Sequence, residues 1–304
     1  MEIELSIVIP VYHAADCIEE LVMEIKEVLT PELHDFEVIL VDDGSKDDSW
    51  NRIKLLKRRF PFVCGIRLNR NYGQHKATLC GLAHSKGKYV VTMDDDLEHD
   101  PRDIIQLLQK FKESNASVVY GVATNKRRGL IKDSLVCIYK WISKIENADA
   151  GSGSSFRIIS AELACSLKEH GTHLFFLDEM LLWYTDQIET ERVIFRKSKK
   201  KISGYSYNGL FSLSKNVFMI STTMPLQLVK FLGLSVSSVS FLYGIFHLFH
   251  KLFFKTEKGY TSLIISILFS TGLLLLCIGI IGEYLSNLLI MNNKKPAYSI
   301  KEKI

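Results

Sequence analysis

The N-terminal part of the chain, up to about residue 125, alternates between short apolar runs and segments in which apolar residues recur at helical spacing. The apolar runs predict buried strands, and the segments between them predict amphipathic helices. This alternation is typical of an α/β domain whose mostly parallel sheet is covered on both faces by helices. The predicted strands are 5–11, 36–41, 63–68, 89–93 and 117–122, and the predicted helices are 15–29, 53–56, 77–83 and 104–111.

Residues 130–222 give a weaker pattern. Residues 130–145 have the spacing of an amphipathic helix, whereas 156–159 and 193–195 are short apolar runs that predict strands. A basic run at residues 196–201 follows the second of them. The order of the elements in this region is therefore predicted less completely than in the N-terminal part.

Two long apolar segments lie near the C-terminus. Between residues 226 and 254 the only charged residues are Lys230 and Lys251, and between 260 and 291 the only one is Glu283. Each segment exceeds the roughly 20 apolar residues that a helix needs to cross a bilayer. The short connection between them predicts a hairpin of two transmembrane helices, at about 227–250 and 260–290.

This composition predicts a domain order along the chain. Lysines beyond the second segment favour a cytoplasmic C-terminus by the positive-inside rule. The predicted location is therefore the inner membrane, as a multi-pass protein with its N-terminal domain and both termini in the cytoplasm. Residues 204–225 either lie in the membrane surface or form an ordinary packed helix, and both alternatives stay open. The predicted parts are a cytosolic α/β domain (1–203), a juxtamembrane amphipathic segment (204–225), the two transmembrane helices (226–291) and a cytosolic basic tail (292–304).

Overall composition excludes some classes of protein. Hydrophobic residues make up 47% of the 304 residues, and the formal net charge is only +4, which argues against a nucleic-acid partner. The six cysteines include no C-x-x-C pair, as expected of a reduced, cytosolic N-terminal domain. The first residues lack the basic and apolar regions of a cleaved signal peptide.

An acidic cluster follows the fourth predicted strand, where Asp94, Asp95, Asp96 and Glu98 stand close together. So many adjacent carboxylates repel one another unless a cation balances them. Asp94 and Asp96 occupy alternate positions and point the same way, so both can reach one Mg²⁺ or Mn²⁺, with Glu98 as a further ligand. Such an ion would bridge the phosphates of a nucleotide. The alternative is a solvated acidic turn before the helix at Pro101.

Two more polar groups follow predicted strands. Asp42 and Asp43 come after the second strand and are suited to bind a base or a ribose hydroxyl, although Asp43 and Ser45 are equally suited to cap a helix. Residues 70–77 place a glycine and polar side chains where a loop enters a helix, which favours an anion site.

Four motifs occur in one order: S-I-V-I-P-V-Y at residue 6, V-D-D-G-S at 41, N-R-N-Y-G-Q-H-x-A at 69 and M-D-D-D-L-E-H-D-P at 93. This succession resembles the family-2 glycosyltransferases of the GT-A fold. The two apolar segments narrow the resemblance to polyprenyl-phosphate glycosyltransferases. This group includes the undecaprenyl-phosphate formamido-arabinose transferases, bactoprenol glucosyltransferases and dolichyl-phosphate mannose synthases.

The resemblance implies an enzyme that transfers a sugar, with inversion, from a UDP-, GDP- or dTDP-sugar to polyprenyl (undecaprenyl) phosphate, for cell-envelope glycan modification. It implies Mg²⁺ or Mn²⁺ as cofactor and membrane lipids as surroundings, and it leaves a homo-oligomer open. The implied catalytic residues are Asp94, Asp96, Ser155 and Arg157, and the implied metal ligands are Asp94, Asp96 and Glu98. The implied nucleotide-sugar-binding residues are Pro10, Tyr12, Asp42, Asp43, Asn71, Gly73, Gln74, His75 and Asp95. The implied lipid-phosphate-binding residues are Arg127, Arg128, Arg196, Lys199, Lys200, Lys201, Ser203 and Tyr205.

The chain departs from its relatives at three positions. Glu98 replaces a Gln, Ser155 stands where some relatives have Asp before Phe-Arg, and Ile202 replaces a Lys. A general base at Ser155 is in doubt, and none is required because a phosphate monoester is already anionic at pH 7. Two other functions stay open: a transferase that extends a lipid-linked glycan or a polysaccharide, and an inactive membrane scaffold.

Overall fold

The computed structural model describes residues 3–33, 35–124, 154–169, 177–199, 260–292 and 296–304, and single positions between 229 and 245. The chain divides into two compact units. The first comprises Met1–Ser206 together with Pro296–Ile304, and the second comprises Tyr207–Lys295.

The first unit is built on an eight-stranded mixed sheet with helices packed against it. The sheet order is β7-β5-β6-β4-β1-β2-β3-β8, in which the neighbours from β4 to β3 run parallel. The strands are β1 (Leu5–Val11), β2 (Phe36–Asp42), β3 (Val63–Leu68), β4 (Tyr89–Thr92), β5 (Val118–Ala123), β6 (Arg157–Ser160), β7 (Ile188–Val193) and β8 (Ile300–Lys303). The helices are α1 (Ile18–Leu29), α2 (Ser49–Arg59), α3 (Gln74–His84), α4 (Arg102–Glu113), α5 (Ala161–Glu169) and α6 (Leu177–Tyr184).

Burial explains why these strands form. Every residue of β1 is buried, as expected for a central strand with helices on both faces. Helix α1 turns Leu21, Val22 and Ile25 into the same core and leaves its charged residues outside. The prediction of an α/β domain with a mostly parallel sheet is confirmed.

Strand β6 lies antiparallel between β4 and β5 and brings a later part of the chain to the centre of the sheet. Its first residue, Arg157, stands opposite Thr92 of β4 and Tyr120 of β5. A charged residue is thereby placed beside the carboxyl end of β4, where the acidic cluster begins.

The C-terminal residues form an edge strand that the sequence did not predict. Strand β8 runs antiparallel to β3, and the backbones of Gly65 and Ile304 exchange two hydrogen bonds of 3.1 and 2.9 Å. Trp50 Nε1 donates to Glu302 Oε2 at 3.0 Å. Part of the predicted basic tail, 292–304, therefore belongs to the sheet of the first unit.

Deletion of residues 296–304 is expected to destabilise the first unit by about 2 kcal/mol or more, because the Ile304 side chain and the β8 ladder are lost together. The exposed edge of β3 should also promote association between copies. Urea denaturation and light scattering check both effects. Lys301→Gln, an exposed position in the same strand, is the matched control and should change stability by less than about 0.5 kcal/mol. A deletion variant as stable as the full chain would contradict this.

Among the described residues of the second unit, the long element is helix α7 (Tyr260–Asn292). It coincides with the second predicted apolar segment, 260–290. Of the first predicted segment, 227–250, the structure describes only isolated positions.

No helix that the structure describes has both the length and the apolar character needed to cross a membrane. This finding contradicts the predicted multi-pass location in the inner membrane, with the catalytic domain and both termini in the cytoplasm, and the structure does not support that location. The two-helix transmembrane hairpin is likewise not confirmed. The prediction rested on the length of the two apolar runs, their few charges and the lysines that follow them, and such composition does not by itself establish a membrane span.

Candidate functional site

The acidic loop, defined as residues 94–100, follows β4 directly, and its burial alternates along the chain. Asp95, Leu97 and His99 are buried, whereas Asp94, Asp96 and Glu98 keep some exposed surface. Leu97 is 2% exposed and adopts a φ of 62°, a backbone conformation that a non-glycine residue keeps only when its surroundings enforce it. The loop therefore buries Asp95 and leaves Asp94, Asp96 and Glu98 partly exposed.

Asp94 is held from two sides. Gln74 Nε2 donates to its Oδ1 at 2.5 Å, and Ser155 Oγ donates to its Oδ2 at 2.6 Å. Burial, followed by the charges of Asp96 and Glu98, raises the pKa of Asp94 to about 6. A cation bound beside Asp94 would favour its ionised form.

The other members of the loop have different partners. Asp95 Oδ2 accepts a hydrogen bond from the Tyr12 backbone at 2.9 Å, which ties the loop to the end of β1. Asp96 Oδ1 accepts from the Glu98 backbone at 3.0 Å. Asp95 thus has a structural contact, whereas Asp96 closes a turn within the loop.

The two carboxylates after β2 differ in accessibility. Asp42 is fully buried, accepts from the Ser45 backbone at 3.1 Å and lies 3.2 Å from Arg67 Nε, so no exposed surface of it faces a ligand. Asp43 accepts from the backbones of Tyr72 and Gly73 at 2.7 and 2.8 Å and so fixes the loop before α3. Burial raises the pKa of both carboxyl groups.

Arg157 lies in a buried polar network that sequence reasoning found only in part. The guanidinium is 3% exposed, donates to Thr92 Oγ1 at 3.2 Å and forms an ion pair with Asp178 of α6. Tyr120 Oη also donates to Asp178 Oδ1, at 3.0 Å. Burial alone would lower the pKa of Arg157, but Asp178 and Tyr120 raise it above its ordinary value, so the group stays charged.

Asp178 was missed because the sequence offers no motif around it. It lies in the first turn of a short helix, 21 residues from its partner. The one available signal was the position of Arg157 in a predicted strand. A charged residue buried in a strand needs an oppositely charged partner, here a carboxylate.

These elements enclose a cavity of about 250 Å³ at the carboxyl ends of β1 and β4. Six of the predicted site residues line it: Pro10, Gln74, His75, Asp94, Ser155 and Arg157. Thr78, Thr92, Met93 and Asp178 complete the lining. Burial lowers the pKa of His75, so its ring is neutral at pH 7. The other described residues of the prediction, including Tyr12, Asn71, Gly73 and Glu98, lie outside this lining.

Arg196 and Lys199, predicted to bind a lipid phosphate, are engaged with acidic side chains. Arg196 forms hydrogen bonds of 2.6 Å with Glu24 and with Asp100, and Lys199 Nζ lies 2.5 Å from Glu20 Oε1. The remaining predicted phosphate-binding residues lie outside the described part of the chain: Arg127, Arg128, Lys200, Lys201, Ser203 and Tyr205.

Comparison with known proteins adds the family. Residues 6–151 match the profile of the family described as Glycosyl transferase family 2. This match identifies residues 6–151 as a family-2 glycosyltransferase domain. The resemblance that the sequence motifs predict is confirmed. The acidic loop, Asp42 and Asp43 all fall within the matched residues.

Two relatives match nearly the whole chain. One is a bactoprenol glucosyl transferase of Shigella phage SfV, 29% identical over 302 residues, with 98% of each chain covered. The other is an undecaprenyl-phosphate 4-deoxy-4-formamido-L-arabinose transferase of Shewanella sediminis, 29% identical over 313 residues, with 98% of this chain and 91% of that one covered. These similarities support glycosyltransferase activity.

A solved structure shares the fold. Glucosyl-3-phosphoglycerate synthase from Mycobacterium tuberculosis superimposes with a TM-score of 0.55 at 19% identity, covering 71% of this chain and 76% of that one. The family-2 domain is therefore GT-A-like, with a mostly parallel mixed sheet.

Gly44, next to Asp43, lets the loop after β2 pack closely against the backbone of residues 70–71. Its φ is +68°, and an added Cβ would lie 2.5 Å from the Arg70 carbonyl carbon and 2.7 Å from the Asn71 nitrogen. Gly44→Ala should therefore destabilise the protein by about 1–3 kcal/mol, because the Arg70–Asn71 backbone must move away from the added Cβ.

Urea denaturation measures this effect of Gly44→Ala. Lys46→Ala is the matched control, since Lys46 is exposed in the same loop and should change stability by less than about 0.5 kcal/mol. An unchanged unfolding midpoint for Gly44→Ala would show that the loop tolerates a side chain there.

Proposed function

We propose that this protein transfers a sugar, with inversion, from a nucleotide-sugar donor to a polyprenyl phosphate of the undecaprenyl type. The observation that carries the proposal is the similarity over 98% of both chains to a bactoprenol glucosyl transferase. The product is a polyprenyl-phosphate-linked monosaccharide. A phosphate oxygen of the acceptor forms the new bond to the anomeric carbon, and the bond to the nucleoside diphosphate breaks on the opposite face.

The lining of the cavity suits this reaction without a general base. The acceptor is already an anion at pH 7, because the second pKa of a phosphate monoester is near 6. Arg157 is held in place by Thr92 and Asp178 and stays charged, so it can orient an anionic group at the cavity. Positioning and charge stabilisation by fixed groups supply most of the rate enhancement in such transfers.

A divalent cation, Mg²⁺ or Mn²⁺, is part of the proposal. Among the described residues, no group of three or more His, Cys, Asp or Glu side chains is arranged to hold a metal ion. Magnesium commonly binds through only one or two carboxylates and completes its shell with substrate phosphates and water. The residues fit that kind of site: Asp94 and Asp96 would hold the ion, with Glu98 nearby, and a cation would favour the ionised form of Asp94, whose pKa burial raises. Bound there, the ion would offset the charge that develops on the leaving diphosphate.

The donor half of the proposal rests on the loops after β1, β2 and β3. The His13 N–H donates to Ser45 Oγ at 3.1 Å, and Asp43 accepts from the backbones of Tyr72 and Gly73, so hydrogen bonds fasten these three loops to one another. We propose that these loops, with Gln74 and His75 in the cavity lining, bind the nucleotide sugar. Asp42 is buried and would contribute indirectly, by accepting a hydrogen bond from the Ser45 backbone and pairing with Arg67.

The deciding experiment incubates the full chain in detergent with undecaprenyl phosphate and each of several UDP-, GDP- and dTDP-sugars. Mass spectrometry should detect a monoglycosyl undecaprenyl phosphate whose formation stops in EDTA, and NMR should show inverted anomeric configuration. Formation only of an extended glycan, or transfer with retention, would overturn the proposal. Undiminished product in EDTA would overturn its metal part.

A further inference from the structure

Residues 195–199, which we name the basic strap, run along the acidic loop and bind its backbone. The Arg196 N–H donates to the Glu98 carbonyl at 2.8 Å, and the Lys199 N–H donates to the Asp96 carbonyl at 3.0 Å. The two carbonyl groups belong to the residues whose side chains the sequence predicts as metal ligands beside Asp94. The strap therefore contacts the loop at Asp96 and Glu98, where a small displacement of the backbone would move a predicted metal ligand.

Side chains fasten the strap at further points. The Arg196 guanidinium bridges Glu24 of α1 and Asp100 at the end of the acidic loop, with one nitrogen for each carboxylate. Lys199 pairs with Glu20, one helical turn before Glu24 on the same face of α1. Helix α1 is held in the main core by its buried face. It therefore gives the strap a rigid support.

Aromatic contacts link the strap to the start of the loop. The Phe195 ring lies edge-on to the His99 ring, with centroids 4.7 Å apart. His99 is 1% exposed, and its Nδ1 accepts the backbone N–H of Asp94 at 3.1 Å. Through these contacts the strap reaches Asp94 as well as Asp96 and Glu98.

We propose that Arg196 is a positioning residue for the acidic loop and not a ligand of the acceptor phosphate. Charge-assisted hydrogen bonds to two carboxylates occupy both ends of its guanidinium, so a phosphate would have to displace Glu24 or Asp100. The left-handed backbone conformation of Leu97 is strained, so the acidic loop should change its conformation when its contacts with the basic strap are lost. A shift of about 1 Å at such a site costs on the order of 100-fold in rate.

This inference rests on the proposed function, because the loop is assigned there to the cation and the donor diphosphate. Arg196→Gln removes the charge and the bridge and leaves a shorter polar side chain, whereas Arg196→Lys keeps the charge and can satisfy only one of the two carboxylates. Lys197→Gln is the matched control, since Lys197 is an exposed strap lysine next to Arg196.

The first measurement is amide hydrogen exchange in EDTA on the full chain, which needs neither ligand nor activity. In Arg196→Gln the amides of Glu98, Arg196 and Lys199 should exchange at least roughly tenfold faster than in the wild-type protein, with Arg196→Lys in between. In Lys197→Gln they should exchange at the wild-type rate. Unchanged protection in Arg196→Gln would overturn the inference even if the protein proves to be an active transferase.

The second measurement separates donor from acceptor. Calorimetry with Mn²⁺ and whichever of UDP, GDP and dTDP the wild-type protein binds best should show roughly tenfold weaker nucleotide binding in Arg196→Gln. The KM for undecaprenyl phosphate should stay within about twofold. A rise in that KM with unchanged nucleotide affinity would instead make Arg196 a phosphate ligand.

Glu24→Gln gives opposite predictions for the two roles and avoids any change to Arg196 itself. If Arg196 positions the loop, loss of its α1 partner should accelerate exchange at Glu98 and weaken nucleotide binding. If Arg196 binds the acceptor phosphate, Glu24→Gln frees the guanidinium and should lower the KM for undecaprenyl phosphate. The second outcome would overturn the inference, and it would do so without affecting the proposed transfer reaction.

Discussion

Replacement of Asp94 by Asn is expected to reduce sugar transfer by roughly 100-fold or more while leaving the protein at least as stable as the wild type. Asp94 lines the cavity, and burial raises the pKa of its carboxyl group to about 6. Asn has nearly the same shape but cannot contribute a negative charge to a cation. Its amide can still accept from Gln74 and donate to Ser155 Oγ, whose hydroxyl can rotate to accept.

The stability of this variant should depend on pH in a defined direction. The pKa of Asp94 rises from 3.8 to about 6 on folding, so the folded state holds the proton more tightly than the unfolded state. The contribution of this group to stability is therefore fully present below pH 3.8 and is lost as pH rises towards 6. Asn does not titrate, so in EDTA the variant should gain Tm relative to wild type above pH 6 and show no gain below about pH 4.

Thermal unfolding in EDTA and transfer assays with Mn²⁺ measure the two halves of this prediction. Asp186→Asn, at an exposed position away from the cavity, is the control and should change neither quantity. Near-normal turnover by Asp94→Asn would remove Asp94 from the metal site. A large loss of Tm at pH 7.5 would mean that the fold requires the charge itself.

The central sheet could be predicted because buried parallel strands are apolar on both faces and stand out as short hydrophobic runs. Strands β1 and β3 have the predicted bounds. Strands β7 (IETERV) and β8 (IKEK) lie at the two edges of the sheet and are largely polar. Hydrophobic periodicity does not detect such strands, since few of their residues are buried and they lack a regular apolar alternation.

The candidate site could be predicted where topology alone brings residues together. Asp43 and Asp94 follow β2 and β4, which flank β1 in the parallel part of the sheet, so strand order places both at the carboxyl-end edge. The pairs Arg157–Asp178 and Arg196–Glu24 could not be predicted, because each joins elements whose contact depends on helix packing. The sequence showed that Arg196 and Lys199 are basic, but not that α1 supplies carboxylates to them.

Separate substitution of Arg157 by Gln and of Asp178 by Asn should each lower stability by roughly 2–3 kcal/mol and transfer by roughly 100-fold or more. Either change leaves a charge without its partner in a network where Arg157 is 3% exposed. The cost stays below that of a fully enclosed pair because the Asp178 side chain is 25% exposed. The double variant Arg157→Gln/Asp178→Asn leaves neither charge unpaired, so its stability should return to within about 1 kcal/mol of wild type.

The rate of sugar transfer by these variants distinguishes a structural role of the Arg157–Asp178 pair from a role in the reaction. If Arg157 orients an anionic group at the cavity, the double variant should regain stability but remain roughly 100-fold slower, because the cation is absent. Arg157→Lys keeps the charge without the paired contacts to Thr92 and Asp178, and should recover more stability than activity. Tyr120→Phe is the control for network disruption alone, since it removes one hydrogen bond to Asp178 and should cost about 1 kcal/mol. Recovery of transfer together with stability in the double variant would show that Arg157 only holds the fold and that another group binds the anion.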